Sequence, residues 1–166
     1  GVVSPNTYIT KASEYDLLGN QTRKIEEVDE SHNIVTEFEY DANQNPTLVR
    51  SGEAANGHEP TNVTRAIFDE RNLPFRTIRA EGDAAQSTAQ SDYDGNGNPV
   101  RVRTGLEDTP RTVLTTYDGY GRVVSSVDPM GNVTTSQYDP AGRVLHQRTD
   151  GELTDVPGSA GNVRLR

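Results

Sequence analysis

Cysteine and tryptophan are both missing from the 166 residues, and methionine occurs once. Without cysteine there is no disulfide framework, no thiolate nucleophile and no thiolate metal ligand. Hydrophobic residues make up 31% and mean hydropathy is −0.77; no apolar run approaches the roughly 20 residues that cross a bilayer as a helix, so membrane insertion is not expected. Positive charge is scarce as well. Lys and Arg number 16 against 25 Asp and Glu, a net charge of −9 that disfavours a nucleic-acid partner. No segment sustains a helical period. So little apolar material drifts toward the disordered class, unless backbone ladders carry the fold.

What is present is repetition. Tyr138-Asp139-Pro140-Ala141-Gly142-Arg143 recurs as Tyr117-Asp118-Gly119-Tyr120-Gly121-Arg122, Tyr93-Asp94-Gly95-Asn96-Gly97-Asn98 and Tyr15-Asp16-Leu17-Leu18-Gly19-Asn20. Weaker copies are Tyr40-Asp41-Ala42-Asn43-Gln44-Asn45 and Phe68-Asp69-Glu70-Arg71-Asn72-Leu73. Spacing of this order marks a repeat architecture. In a type I turn Asp is favoured first, Pro second and Gly fourth, and a left-handed fourth residue forms a hairpin bulge. Asn72 tolerates that conformation, whereas Gln44 is expected to be strained. Regular glycines at fixed offsets argue against disorder.

A second turn alternates with the first. Val127-Asp128-Pro129-Met130-Gly131-Asn132-Val133 keeps the Asp and Gly131 without the Tyr, and Val28-Asp29-Glu30-Ser31-His32-Asn33-Ile34 reads as the same turn with His32 in the Gly place. Longer loops are expected at 52–60, 81–91 and 105–110. Strands are read at 23–28, 34–40, 64–68 and 111–117. Ile34, Thr36, Phe38 and Tyr40 alternate with Val35, Glu37 and Glu39, a period of two with the first set as the apolar face. Pro46, Pro74 and Pro99 fall at strand starts, where a missing amide is tolerated. Residues 1–14, with Thr7-Tyr8-Ile9-Thr10-Lys11, read as a partial preceding repeat; 15–150 are tandem repeats; 151–166 are a polar boundary or the lead-in to a further repeat. With Gly at position 1 and no leader in view, the sequence reads as a piece of a longer protein.

Tyr-Asp-x-x-Gly-Arg, a strand, Asp-Pro-x-Gly-Asn, a strand, then Tyr-Asp again resembles the YD-repeat, or Rhs-repeat, family over about residues 8 to 149. Its members include bacterial Rhs polymorphic toxins, shell components of Tc toxins, and teneurins. The resemblance implies an all-β fold of tandem antiparallel hairpins in a curved, spiralling sheet, a segment of a hollow shell. It also implies a structural role: part of a large secreted or exported bacterial protein that encloses or presents a toxin-like polypeptide. The partners it implies are the rest of that protein and the enclosed chain.

Chemistry-bearing motifs are weaker. Asp92-Tyr93-Asp94-Gly95-Asn96-Gly97 opens like a calcium loop, but Arg103 stands where the bidentate Glu belongs. His32, His58 and His146 show no metal-ligand spacing. No nucleophile elbow, phosphate loop or zincin motif occurs; a recurring Asp reads as a turn residue rather than one of a catalytic pair. No cofactor, metal or enzyme activity is expected. Asn20-Gln21-Thr22, Asn62-Val63-Thr64 and Asn132-Val133-Thr134 match the glycosylation pattern. The acidic run 26–30 is a solvated face or a lumen lining.

The residues expected to matter are structural: the aromatics Tyr15, Tyr40, Phe68, Tyr93, Tyr117 and Tyr138 as a stack; Asp16, Asp41, Asp69, Asp94, Asp118, Asp128 and Asp139 as turn caps; Gly19, Asn72, Gly97, Gly121, Gly131 and Gly142 as bulge formers; and Arg122 and Arg143 closing their motifs. An alternative reading is a surface adhesion module that binds glycan or protein through the loops around Asn56 and Ala85. Exposed end strands offer unpaired amides and carbonyls, so the chain is expected to self-associate at its edges, more strongly as salt screens its charge, or to sit within a larger assembly.

Overall fold

The computed structural model describes residues 10–29, 32–151 and 163–164. Among these the regular elements are β-strands and a single 3₁₀ turn, Gly52–Ala54. The chain divides into two compact units, Gly1–Thr88 and Ala89–Arg166. In the first, β1 (Lys11–Tyr15), β2 (Gln21–Asp29), β3 (His32–Tyr40), β4 (Pro46–Ser51), β5 (Val63–Phe68) and β6 (Pro74–Arg79) form an antiparallel meander, each strand paired with the next. The second opens with β7 (Ser87–Tyr93) and continues through β8 (Pro99–Thr104), β9 (Arg111–Tyr117), β10 (Val123–Val127), β11 (Val133–Tyr138), β12 (Val144–Gly151) and β13 (Val163–Arg164) in the same manner. This is the all-β array of tandem hairpins that the motifs imply.

Every hairpin turned by an aromatic-Asp motif carries the same irregularity. Tyr15 faces Gln21 while Glu14 faces Arg23, leaving Thr22 as an extra residue. Thr47, Phe75, Val100, Val124 and Leu145 are extra in the same way. Such a bulge bends its strand and adds right-handed twist. The turn at Asp128 has none: Val127 faces Val133 and Ser126 faces Thr134. The register from one repeat to the next is also constant. The residue eight places after one motif's aromatic faces the residue three places before the next: Arg23 and Glu37, Leu48 and Arg65, Arg101 and Leu114, Ser125 and Thr135.

Burial is sparse. Among the described residues the buried apolar side chains are Val35, Leu48 and Ala54, with the 3₁₀ turn packed against β3. The expected apolar face of β3 is therefore reversed at its start, since Val35 is buried and Ile34 is exposed. Cross-strand neighbours decide this: Val35 faces Ile25, whereas Ile34 faces Glu26, which pairs with Lys11 at 2.9 Å and Lys24 at 2.7 Å. Charged residues fill the remaining ladder positions. Glu14, Arg23, Glu37 and Arg50 face one another in turn, and exposed pairs of this kind contribute about 0–1 kcal/mol each.

Two further expectations are corrected. His32 is not a left-handed turn residue: it belongs to β3 and faces Asp29. The loop expected at 81–91 is shorter, because Ser87 to Ser91 already belong to β7. Residues 7–9 of the expected first strand and most of 151–166 lie outside the described residues.

Candidate functional site

The repeated feature is the aromatic-Asp turn, and its geometry is the same each time. The Asp N–H donates to the carbonyl four residues on, and the left-handed residue's N–H donates back to the Asp carbonyl, as in Asp94 with Asn98 and Gly97, at 2.9 and 3.2 Å. The left-handed place is taken by Gly19, Gly97, Gly121 and Gly142, and also by Gln44 at φ 66° and Asn72 at φ 62°. Gln44 adopts a conformation that an L side chain enters at a cost of about 1–2 kcal/mol. Asp128 and Gly131 build the same turn without an aromatic.

Each carboxylate does two things. One oxygen accepts backbone N–H groups: Asp16 from Leu18 and Asn20, Asp41 from Asn43 and Asn45, Asp69 from Arg71 and Leu73, Asp94 from Asn96 and Asn98, Asp118 from Tyr120 and Arg122, and Asp139 from Arg143. The other accepts from the side chain following the left-handed residue: Asn20, Asn45, Asn98, Arg122, Asn132 or Arg143. At Asp69 that position is Leu73, and Arg71 supplies the guanidinium instead. The partner is legible in hindsight, since the position after the left-handed residue holds only Asn or Arg wherever the side chain serves.

These bonds favour the ionised form. The side-chain amides of Asn20, Asn45 and Asn132 hold Asp16, Asp41 and Asp128 below the ordinary carboxylate range. For Asp69 and Asp139 the leading cause is the backbone N–H of Leu73 and of Arg143, and the neighbouring guanidinium adds to it. Burial pushes Asp118 up, but the bonds from Arg122 outweigh it.

Turns are also tied sideways. Tyr40 donates its hydroxyl to the carbonyl of Gln21, Tyr117 to that of Pro99 and Tyr138 to that of Val123, at 2.8, 3.1 and 2.8 Å. Each acceptor is the first residue of the return strand in the preceding repeat. The alternate strands that carry these tyrosines lie roughly 10 Å apart. What lies over the Tyr138 ring is the Arg122 guanidinium, 4.7 Å from its centroid, and the same group sits 5.1 Å from Tyr120. Arg122 also donates to the Asp139 carbonyl at 3.1 Å. Asn45 does similar work in the first unit, reaching from the Asp41 turn to Asn72 of the next turn at 2.8 Å.

Other motifs are absorbed by the fold. Asp94 is bonded to Asn96 and Asn98, and Asp92 pairs with Arg101 and Arg103, each at 3.4 Å. The amides of the three sequon asparagines are engaged: Asn20 by Asp16, Asn132 by Asp128 and Asn62 by the Ser51 carbonyl. Among the described residues no three His, Asp or Glu side chains converge as a metal site. No described helix is long and apolar enough to cross a membrane. Sequence reasoning did not find the cleft of about 530 Å³ in the first unit, lined by Glu53, Glu59 and Asn62 from one loop and by Ala80, Asp83 and Ala85 from the next. Ala80 there is left-handed at φ 51°.

Comparison with known proteins agrees with the turn chemistry. No curated protein sequence matches the chain. Its fold is similar to parts of a Photorhabdus luminescens Tc holotoxin pore structure, at 16% identity over 94% of this chain and 9% of that one, TM-score 0.40. It is also similar to TcdB2–TccC3, at 19% identity over 93% of this chain and 11% of that one, TM-score 0.28. The chain thus spans about a tenth of the solved chains it matches, and likenesses at these TM-scores carry no argument about function. The RHS repeat family model matches residues 117–153, the span that holds the Asp118, Asp128 and Asp139 turns. Over that span the chain is similar to an RHS repeat, and the same aromatic-Asp turn recurs outside it at Asp16, Asp41, Asp69 and Asp94.

Proposed function

We propose that the chain is a structural segment of a larger, exported bacterial protein, forming part of a curved β-shell that encloses or presents another polypeptide, and that it has no enzymatic activity of its own. The observation that supports this most is the condition of the aromatic-Asp turns. Each carboxylate is engaged by the amides and side chain of its own turn, as at Asp94 and Asp118, which marks the repeated aspartates as turn residues rather than catalytic acids or bases. What remains is lateral cohesion between repeats, the property a wall needs. The experiment is protease protection of the full-length parent protein. The polypeptide accompanying the repeats should survive digestion in the native state and become sensitive when Asp118 and Asp139 are both replaced by Ala. Equal sensitivity in both would overturn enclosure.

A second reading, an adhesion module for glycan or protein, is favoured by the cleft between the 52–62 and 80–86 loops. It sets Glu53, Glu59 and Asp83 beside Arg79, Thr61 and Asn62 with no aromatic ring, which suits a hydroxyl-rich ligand. Glycan-array binding that is lost on Glu59→Ala and Asp83→Ala would support it, and no binding would remove it.

A further inference from the structure

Neighbouring turns meet at their tips in two different ways. Between the Asp41 and Asp69 turns, Asn43 and Asn45 both donate to the side-chain oxygen of Asn72, at 3.2 and 2.8 Å. That oxygen belongs to the left-handed residue of the second turn, and the two amides close the gap around it. The Asp118 and Asp139 turns put Tyr120, Arg122 and Gly142 at the same three places. Gly142 brings no side-chain oxygen, and a Cβ at that position would meet nothing within 4 Å. Here the gap stays open.

The result is a groove of about 290 Å³ lined by Tyr120, Arg122, Pro140, Ala141 and Gly142. Tyr120 is 86% exposed, and no other aromatic-Asp turn carries an aromatic residue at its tip. Arg122 directs its Nε and one terminal nitrogen to Asp118, at 2.7 Å each, and the other terminal nitrogen to the Asp139 carbonyl at 3.1 Å. These contacts take three of the five N–H groups of a guanidinium, so two are left for an acceptor. No carboxylate lines the groove, and Asp139 is buried. Its one charged wall is positive.

We propose that this groove binds a uronic acid residue of a glycan. The carboxylate takes the place that the Asn72 oxygen holds in the first unit and accepts from Arg122. The sugar ring sets its C–H face against Tyr120 and an edge against Pro140, the two rigid apolar walls. A tyrosine ring supplies a large contact area at little cost in side-chain freedom, and a groove of this size suits one sugar residue rather than a long segment. The flexible acidic side chain of a peptide would satisfy Arg122 but leave Tyr120 uncovered. The inference rests on two adjacent turns and not on what a shell would enclose, so it can fail while the proposed function stands.

The test is titration of the chain with trigalacturonate, followed by amide NMR and by tyrosine fluorescence, which the absence of tryptophan leaves unobscured. Saturable shifts should fall on residues 119–122 and 140–143, and galactotriose, the neutral counterpart, should bind about tenfold more weakly. Tyr120→Ala should weaken trigalacturonate binding to a similar extent. Gly142→Asn should recreate the closed arrangement of the first unit and abolish binding, with a melting curve close to that of the parent, since Asn accepts the left-handed conformation. Asp83→Ala, which alters the cleft in the first unit, should bind as the parent does. Five results would overturn the proposal: no saturable shift with trigalacturonate, equal affinity for galactotriose, equal affinity for triglutamate, undiminished binding by Gly142→Asn, or loss of binding in Asp83→Ala.

Discussion

The two ends of the strands obey different rules. At the aromatic-Asp end every turn is of one length, with one hydrogen-bond frame and one bulge. At the opposite end the connections range from the five-residue turn at Asp128 to the eleven residues between β4 and β5. The uniform end is where neighbouring repeats hold one another through Tyr hydroxyls, Arg122 and Asn45. The variable end has no such tie repeated from turn to turn, although Thr61 reaches Asp83 of the next loop, so its loops are free to differ in length. Lateral ties constrain a turn more than the hairpin itself does.

The largest expected effect is that of acid. The turn aspartates have folded pKa values below their unfolded ones, so their stabilisation is fully present above the unfolded value near pH 4 and is lost as pH falls through the folded values. The melting temperature should hold from about pH 7 to 5 and fall steeply below about pH 4, and Asp139→Asn should flatten that fall. A melting curve insensitive to pH down to about 3 would mean that the carboxylates contribute little.

Next comes deletion of a single cap. Asp139→Ala leaves the Arg143 N–H and guanidinium without their acceptor and should lower the melting temperature more than Asp83→Ala at the variable end, where the carboxylate bonds Ala85 and Thr61. Equal losses would erase the distinction between the ends. Conformational strain is smaller. Gly142 sits at φ 84°, so Gly142→Ala should cost about 1 kcal/mol, and Gln44→Gly should gain up to about as much by denaturant unfolding. Ala80→Gly should gain similarly, because strain occurs at both ends. Phe68→Tyr is gentler: the new hydroxyl meets the Pro46 carbonyl, completing the pattern, and should add about 0.5–1 kcal/mol. Calcium should produce no shift in melting at all, because Arg101 and Arg103 already hold Asp92.

Much of the uniform end is legible in the sequence because its demands fall on single residue types. A left-handed position selects Gly or Asn, a cap selects Asp, and a strand start tolerates proline; Pro46, Pro74 and Pro99 open β4, β6 and β8. The extra residue that follows is not legible. It is Thr22, Thr47, Phe75, Val100, Val124 or Leu145, ordinary strand residues that carry no mark of a bulge, because a bulge of this kind constrains the backbone and not the side chain. The buried side of β3 was hidden for another reason. Alternation shows that two faces exist, but which is covered depends on Ile25 and Glu26 across the ladder. The Asn or Arg that completes each cap stood in plain view and is understood only once its carboxylate partner is known.

The reach of the tyrosine hydroxyls has a consequence for how such a chain changes over time. Each of these bonds spans one repeat and stops, and so does each arm of Arg122 and Asn45. Influence therefore passes only between nearest neighbours, as in a one-dimensional Ising chain. A whole repeat can be inserted, lost or exchanged at the cost of remaking a single junction, provided the newcomer brings a hydroxyl at one end of its span and a receptive carbonyl at the other. Phe68 already shows the tolerance in the rule, a link that lacks the hydroxyl and holds by its ladder and by Asn45 on Asn72.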